Sequence, residues 1–138
     1  MLKEALEALQ TRKSFALIGA SAEPGKYGHK VFSALKDQYR VLPVNPKRSE
    51  IEGVPCYRSF RELPETPDAV IVALAPEKTE EVVSELIAQR VRMLWLPPEC
   101  FTDAAVAACN EAHIPVIYDI CPVAALETAK RLKGAGGR

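Results

Sequence analysis

Residues Ser14–Lys30 read SFALIGASAEPGKYGHK, and this stretch decides the fold. It opens on an apolar run, Phe15–Ile18, of the length of a buried strand. Gly19 ends the run, and small or turn-forming residues follow through Ser21, Pro24 and Gly25. Gly28 comes next, then a helical pattern with Val31, Phe32 and Leu35 on one face. Strand, glycine loop and helix in that order aim backbone N–H groups and a helix N-terminus at an anion. The spacing departs from the dinucleotide fingerprint G-x-G-x-x-G. Counted from Gly19, the second and third glycine positions hold Ser21 and Pro24. The stretch therefore predicts a phosphate loop of another gauge: longer, hydroxyl-bearing, and with its own cation in Lys26.

Outward from this loop, short apolar runs alternate with helical patterns. A first amphipathic helix is predicted over Leu2–Gln10, its leucine stripe packing on the sheet or on a neighbouring chain. The second helix is predicted over Tyr27–Gln38 and its companion strand over Arg40–Val44. Pro43 is awkward there, because proline cannot donate to a ladder. Ile51–Tyr57 reads as a turn into a short extended piece, and Ala69–Leu74 as a strand buried on both faces. Pro76 suits the first turn of a third helix, where Glu77, Glu80 and Glu81 suit the dipole. Strands over Arg92–Leu96 and Pro115–Tyr118, a helix capped by Thr102 or Asp103, and a last helix from Pro122 complete the pattern. Residues 133–138 are expected to fray. The alternation indicates an α/β protein with a doubly wound, mainly parallel sheet in one domain, with Ser14–Ile18 central and Val41–Val44 beside it.

Composition narrows the partners. Formal net charge is zero over 138 residues, so no broad attraction to nucleic acid or an anionic membrane is expected. No run approaches the ~18 apolar residues of a membrane span. The N-terminal segment carries acids and lacks a long apolar centre, unlike a signal peptide, so a cytoplasmic location is expected. The four cysteines, Cys56, Cys100, Cys109 and Cys121, form no C-x-x-C pair and are expected to be reduced thiols. Neither His29 nor His113 stands at a ligand spacing from them, so no metal site is expected.

A parallel sheet binds ligands outside the carboxyl ends of its strands. The unusual residues fall there four times: Gly19–Ser21, Asn45–Lys47, Ala73–Pro76 and Leu96–Pro98. Where a nicotinamide-binding domain carries an acid for the ribose hydroxyls, this chain has Asn45 and then Lys47 and Arg48. Two readings stand: a ribose phosphate held by the cations, or a plain Asn45-Pro46 turn with solvated charges.

Gly19-Ala20-Ser21, Lys26-Tyr27-Gly28, Val44-Asn45-Pro46, the Gly53-x-Pro55 turn, Asp68 and Trp95 together resemble the small stand-alone CoA-binding proteins. These are similar to the N-terminal domain of the succinyl-CoA synthetase alpha subunit. The resemblance spans nearly the whole chain and implies a Rossmann-like fold with coenzyme A, or an acyl-CoA, as ligand. It implies that Gly19, Ala20 and Ser21 form the phosphate loop and that Lys26, Tyr27 and Gly28 extend it. Val44, Asn45, Pro46 and Lys47 then lie near the adenosine, and Ala73, Leu74, Ala75 and Pro76 form the next ligand-facing turn. Leu96 and Pro97 close the row. After Trp95 the chain departs from the family: Pro97, Pro98 and Glu99 stand where a glutamine and a glycine are common. Cys121 matches a family cysteine, with Ile120 in place of its usual basic neighbour.

No catalytic set is evident. Ser21 lacks a nucleophile elbow, because Glu23 stands where G-x-S-x-G needs glycine. Cys121 is the one candidate nucleophile, near a predicted helix N-terminus. Three functions remain open: a non-catalytic or regulatory CoA-binding module, an NADP-binding or NADP-sensing domain, and an acyl-CoA or CoA-disulfide enzyme using Cys121. A homo-oligomer or a protein partner is compatible with each.

Overall fold

Every residue of β1 (Ser14–Ile18) is buried, and its side chains divide between two cores. Phe15 and Leu17 pack on one face of the sheet, Ala16 and Ile18 on the other. Alternate residues of a strand point to opposite faces, so a strand covered on both sides must be apolar throughout. β1 lies in a parallel sheet with β2 (Arg40–Val44), β5 (Ala69–Val72), β6 (Leu94–Leu96) and β7 (Val116–Tyr118), in the order β2-β1-β5-β6-β7. A separate antiparallel hairpin joins β3 (Glu50–Ile51) to β4 (Val54–Pro55). This computed structural model describes residues 1–136.

The helices complete the two layers. Buried residues of α1 (Leu2–Thr11), α2 (Tyr27–Leu35) and α5 (Pro122–Gly136) pack with Phe15, Leu17, Ile71 and Trp95. Those of α3 (Pro76–Ala88) and α4 (Asp103–Glu111) pack with Ala16, Ile18, Val70 and Leu94. Thr102 caps α4 by accepting a hydrogen bond from the Ala105 N–H at 3.0 Å.

One further pairing names the architecture. Val44 makes an isolated parallel bridge to Tyr57, outside β2. Counting Tyr57 as a residual third strand, the order becomes 3-2-1-4-5-6, that of the Rossmann fold. The order reverses between β1 and β5, which fixes where a ligand crevice belongs.

Several boundaries differ from those predicted. β1 and β2 are adjacent, but the middle strand is β5 rather than β1. α2 ends at Leu35 rather than Gln38. The chain must turn there so that Tyr39 stands edge-on to Phe15, with ring centroids 5.1 Å apart, and donates its hydroxyl to the Leu9 carbonyl at 2.6 Å. Pro43 is accommodated because β2 is the last strand of its sheet. Its carbonyl points outward, accepting from the Tyr57 N–H, so its missing N–H faces outward too. The segment predicted to fray is helical as far as Gly136; residues 137 and 138 lie outside the described residues.

Asp68 ties the amino ends of three strands together. Its Oδ2 accepts from the Lys13 N–H at 2.9 Å and the Ser14 N–H at 3.2 Å, and its Oδ1 accepts from Arg92 at 3.2 Å. The backbone bond from Lys13 is the main reason its carboxyl lies below the ordinary value of 3.8. A lowered folded-state value contributes stability that is fully present above the unfolded value and lost as pH falls through the folded one. In urea unfolding, Asp68→Asn should therefore be less stable than the parent at pH 7, with the gap shrinking below about pH 4. A gap that stays constant down to pH 2.5 would exclude this role.

Candidate functional site

At the carboxyl edge, three backbone segments meet without side chains between them. Gly19 ends β1 with φ +90°, and a Cβ there would lie 2.2 Å from the Ala73 carbonyl oxygen. Gly28, in the first turn of α2, comes as close to the loop: a Cβ would lie 2.0 Å from the Gly19 oxygen. The first turn of α2 is thus seated on the loop after β1, directly above the reversal in strand order.

The N-terminus of α2 is electrostatically open. It has no side-chain cap and no acid in its first turn, and Lys26 occupies its N-cap. α3 begins with Pro76 and Glu77, and α4 carries the Thr102 cap and Asp103, so both offer an anion less. The loop is held by short bonds. Ser21 Oγ accepts from the Glu23 N–H at 3.0 Å, which leaves its own proton to donate.

Asn45 fastens the second strand end to the first. Its Nδ2 donates to the Ala20 carbonyl at 2.8 Å and its Oδ1 accepts from the Lys47 N–H at 2.8 Å. The Asn45 N–H in turn donates to the Tyr57 carbonyl at 2.9 Å. The side chain of Asn45 thus builds the turn at Asn45-Pro46, with Lys47 presented on it. Beyond it lies a polar hollow of about 370 Å³ lined by Lys47, Arg48, Arg58, Tyr57 and Glu62. Burial pushes the nearby Cys56 thiol up, with bonds to Asn45 and Tyr57 and the charge of Arg48 opposing it.

The opposite end of the edge is apolar. A hollow of about 390 Å³ is lined by Tyr27, Leu74, Pro98, Glu99, Cys100 and Cys121. The Tyr27 hydroxyl donates to Cys121 Sγ at 3.1 Å. Burial and that sulfur hold the phenol far above its ordinary range, so Tyr27 remains a donor at any working pH. Burial also pushes the Cys100 thiol up. All four cysteines are free, and only Cys121 is not fully buried.

Some predicted site residues serve by support instead of exposure. Ala20, Val44, Leu96 and Pro97 are buried. The Leu96 carbonyl is taken by the Asp119 N–H, and that of Pro97 by the Cys100 N–H. Trp95 lines no groove: it is fully buried, and its indole donates to the Ile120 carbonyl at 2.8 Å, one residue before Cys121. His29 points to Glu52, which also holds Lys36 at 2.7 Å, so it pins the β3–β4 hairpin to α2. The approach of Tyr27 to Cys121 and the arrival of Arg58 beside Lys47 are absent from local pattern. A further hollow of about 600 Å³ between α1 and α5 has an apolar floor of Leu6, Leu9 and Leu126 and lies away from this edge.

Comparison with known proteins agrees with this geometry. A family model described as a CoA binding domain matches residues 13–127. The chain belongs to that family. It is 30% identical over 119 residues to the uncharacterized protein YneT of Bacillus subtilis, covering 86% of this chain and 88% of that one. It is 35% identical over 75 residues to the alpha subunit of an ADP-forming acetate–CoA ligase II from Pyrococcus furiosus. That match takes in 53% of this chain but only 16% of the ligase subunit. Among solved structures, a hypothetical protein from Pyrococcus horikoshii OT3 superposes with a TM-score of 0.86 at 27% identity, covering 94% of this chain and 92% of that one. A cell-free-produced Thermus thermophilus protein superposes at 0.84 with 30% identity, covering 94% and 98%.

The close approach at Gly19 separates two effects of adding a methyl group. Gly53 shares a positive φ, +82°, but nothing lies within 4 Å of its Cβ position. Gly53→Ala should therefore cost about 1 kcal/mol of stability from backbone strain alone. Gly19→Ala adds a collision with the Ala73 backbone and should cost about 3 kcal/mol or more. Equal losses in urea unfolding would show that the approach to Ala73 is not a constraint.

Proposed function

We propose that this chain is a small coenzyme A-binding module, non-catalytic or regulatory in itself, which binds CoA across the carboxyl edge of its sheet. The observation that carries the reading is the open N-terminus of α2, closed glycine-to-glycine on the β1 loop and flanked by Lys47. The features along the edge fit the parts of CoA in order. The diphosphate takes the N–H groups and hydroxyl of Gly19–Ser21 and the start of α2. The adenosine end lies toward Asn45–Lys47, with the ribose phosphate on Lys47. The pantetheine arm runs past Ala73–Pro76 into the apolar hollow at Tyr27 and Cys121. From β2 to β7 the edge spans four strand spacings, ~19 Å, a length suited to an extended ligand.

The family membership supports the same ligand. The relative from Pyrococcus furiosus is a ligase subunit more than six times longer than the matched segment. Among the described residues no helix is long and apolar enough to cross a membrane. A second reading gives Cys121 a covalent role toward an acyl-CoA or a disulfide, and the Tyr27–Cys121 bond is what favours it. An unreactive Cys121 in a thiol-labelling time course would remove that reading and leave the first intact.

Titration calorimetry of CoA, NADP and NAD tests the ligand. CoA should bind, and NADP bound in its place would overturn the assignment. Ser21→Ala should weaken CoA and dephospho-CoA alike. Lys47→Ala should weaken CoA by about 1–2 kcal/mol, as expected for a charge-assisted hydrogen bond, and leave dephospho-CoA nearly unchanged.

A further inference from the structure

We infer that Arg58, with Arg48 and Lys47, forms a receptor for a phosphomonoester dianion, and that Arg58 adds to Lys47 in letting this chain discriminate a phosphorylated ribose from an unphosphorylated one. This rests on the CoA reading and assigns one subsite of it. Three cations line a single hollow of about 370 Å³, and Glu62 is the one acid among its lining residues. Two positive charges remain over. Among the described residues none of the three cations has an ion-pair partner, whereas Lys36, Arg40 and Arg92 each have one. A phosphomonoester carries close to two negative charges at neutral pH, whereas each phosphate of a diphosphate bridge carries one. The charge left over in the hollow therefore matches the monoester.

Arg58 is held in place by its neighbours. The Tyr57 N–H donates to the Pro43 carbonyl and the Tyr57 carbonyl accepts from the Asn45 N–H, both at 2.9 Å. On the other side, the Ser59 carbonyl accepts from the Glu62 N–H at 3.2 Å. The backbone is therefore fastened on both sides of Arg58, while its own side chain is exposed and free. Asn45 ties this wall to the glycine loop through the Ala20 carbonyl at 2.8 Å, which fixes the position of the hollow relative to that loop. A guanidinium offers a planar fork of donors that an ammonium lacks, so Arg58 adds directional bonds to the point charge of Lys47.

Wild type, Arg58→Ala and Arg58→Lys titrated with CoA and with dephospho-CoA test the assignment. Arg58→Ala should weaken CoA about tenfold and dephospho-CoA less than twofold. Arg58→Lys should recover part of the loss, because it keeps the charge and loses the fork. Unchanged dephospho-CoA affinity also reports that the variant is folded. Equal losses with both ligands, or no loss with CoA, would overturn the role of Arg58 while CoA binding stands. Wild type that binds neither ligand would overturn the CoA reading itself, and this subsite with it.

Discussion

The closest constraint in the molecule is the absence of two side chains. At Gly19 and Gly28 a methyl group would have to occupy space already held by backbone, 2.2 Å from Ala73 and 2.0 Å from Gly19 respectively. Because those positions are bare, the loop after β1, the loop after β5 and the first turn of α2 share one small volume. The helix axis is then aimed at the reversal in strand order, where the field of its N-terminus and the loop N–H groups add. Asn45 extends the arrangement sideways, and Trp95 fixes the opposite end through Ile120. The carboxyl edge of the sheet is thus built mostly from backbone, with a few side chains acting as ties.

Much of the fold was legible because local pattern and burial agree. β1 and β2 lie within the residues that apolar continuity marks, and the alternation of elements yields a parallel sheet with helices on both faces. The misses have long-range causes. α2 stops early because Tyr39 is claimed by Phe15 and Leu9, which no helical periodicity encodes. The middle place in the sheet goes to β5 because strand order depends on crossovers, and a strand buried on both faces reads the same in either position.

The candidate site divides in the same way. The glycine loop, Asn45–Lys47 and the turn at Ala73–Pro76 sit at the ends of strands that could be read directly. Their detailed roles could not. Asn45 reads as a turn residue or a ligand contact, and only its bonds to Ala20 and Lys47 make it a clasp. Tyr27 and Cys121 lie 94 residues apart in the chain. Arg58 follows Tyr57, whose single bridge to the sheet is too short to announce itself as a strand. Trp95 carries part of the family resemblance and is a buried strut, because a strand enclosed on both faces leaves it no exposed side.

Pro43 has a consequence for the company this protein keeps. An outermost strand with free donors and acceptors is a template on which another chain can pair, the common route to sheet-to-sheet aggregation. Here one donor is missing at Pro43, and Tyr57 already occupies the carbonyl beside it and the N–H of Asn45. That flank of the sheet is therefore partly blocked at its carboxyl end by the single bridge of Tyr57. Its other flank is β7, only three residues long. Pairing by strand addition is thereby limited at β2, and the basic corner beside Asn45 keeps its shape.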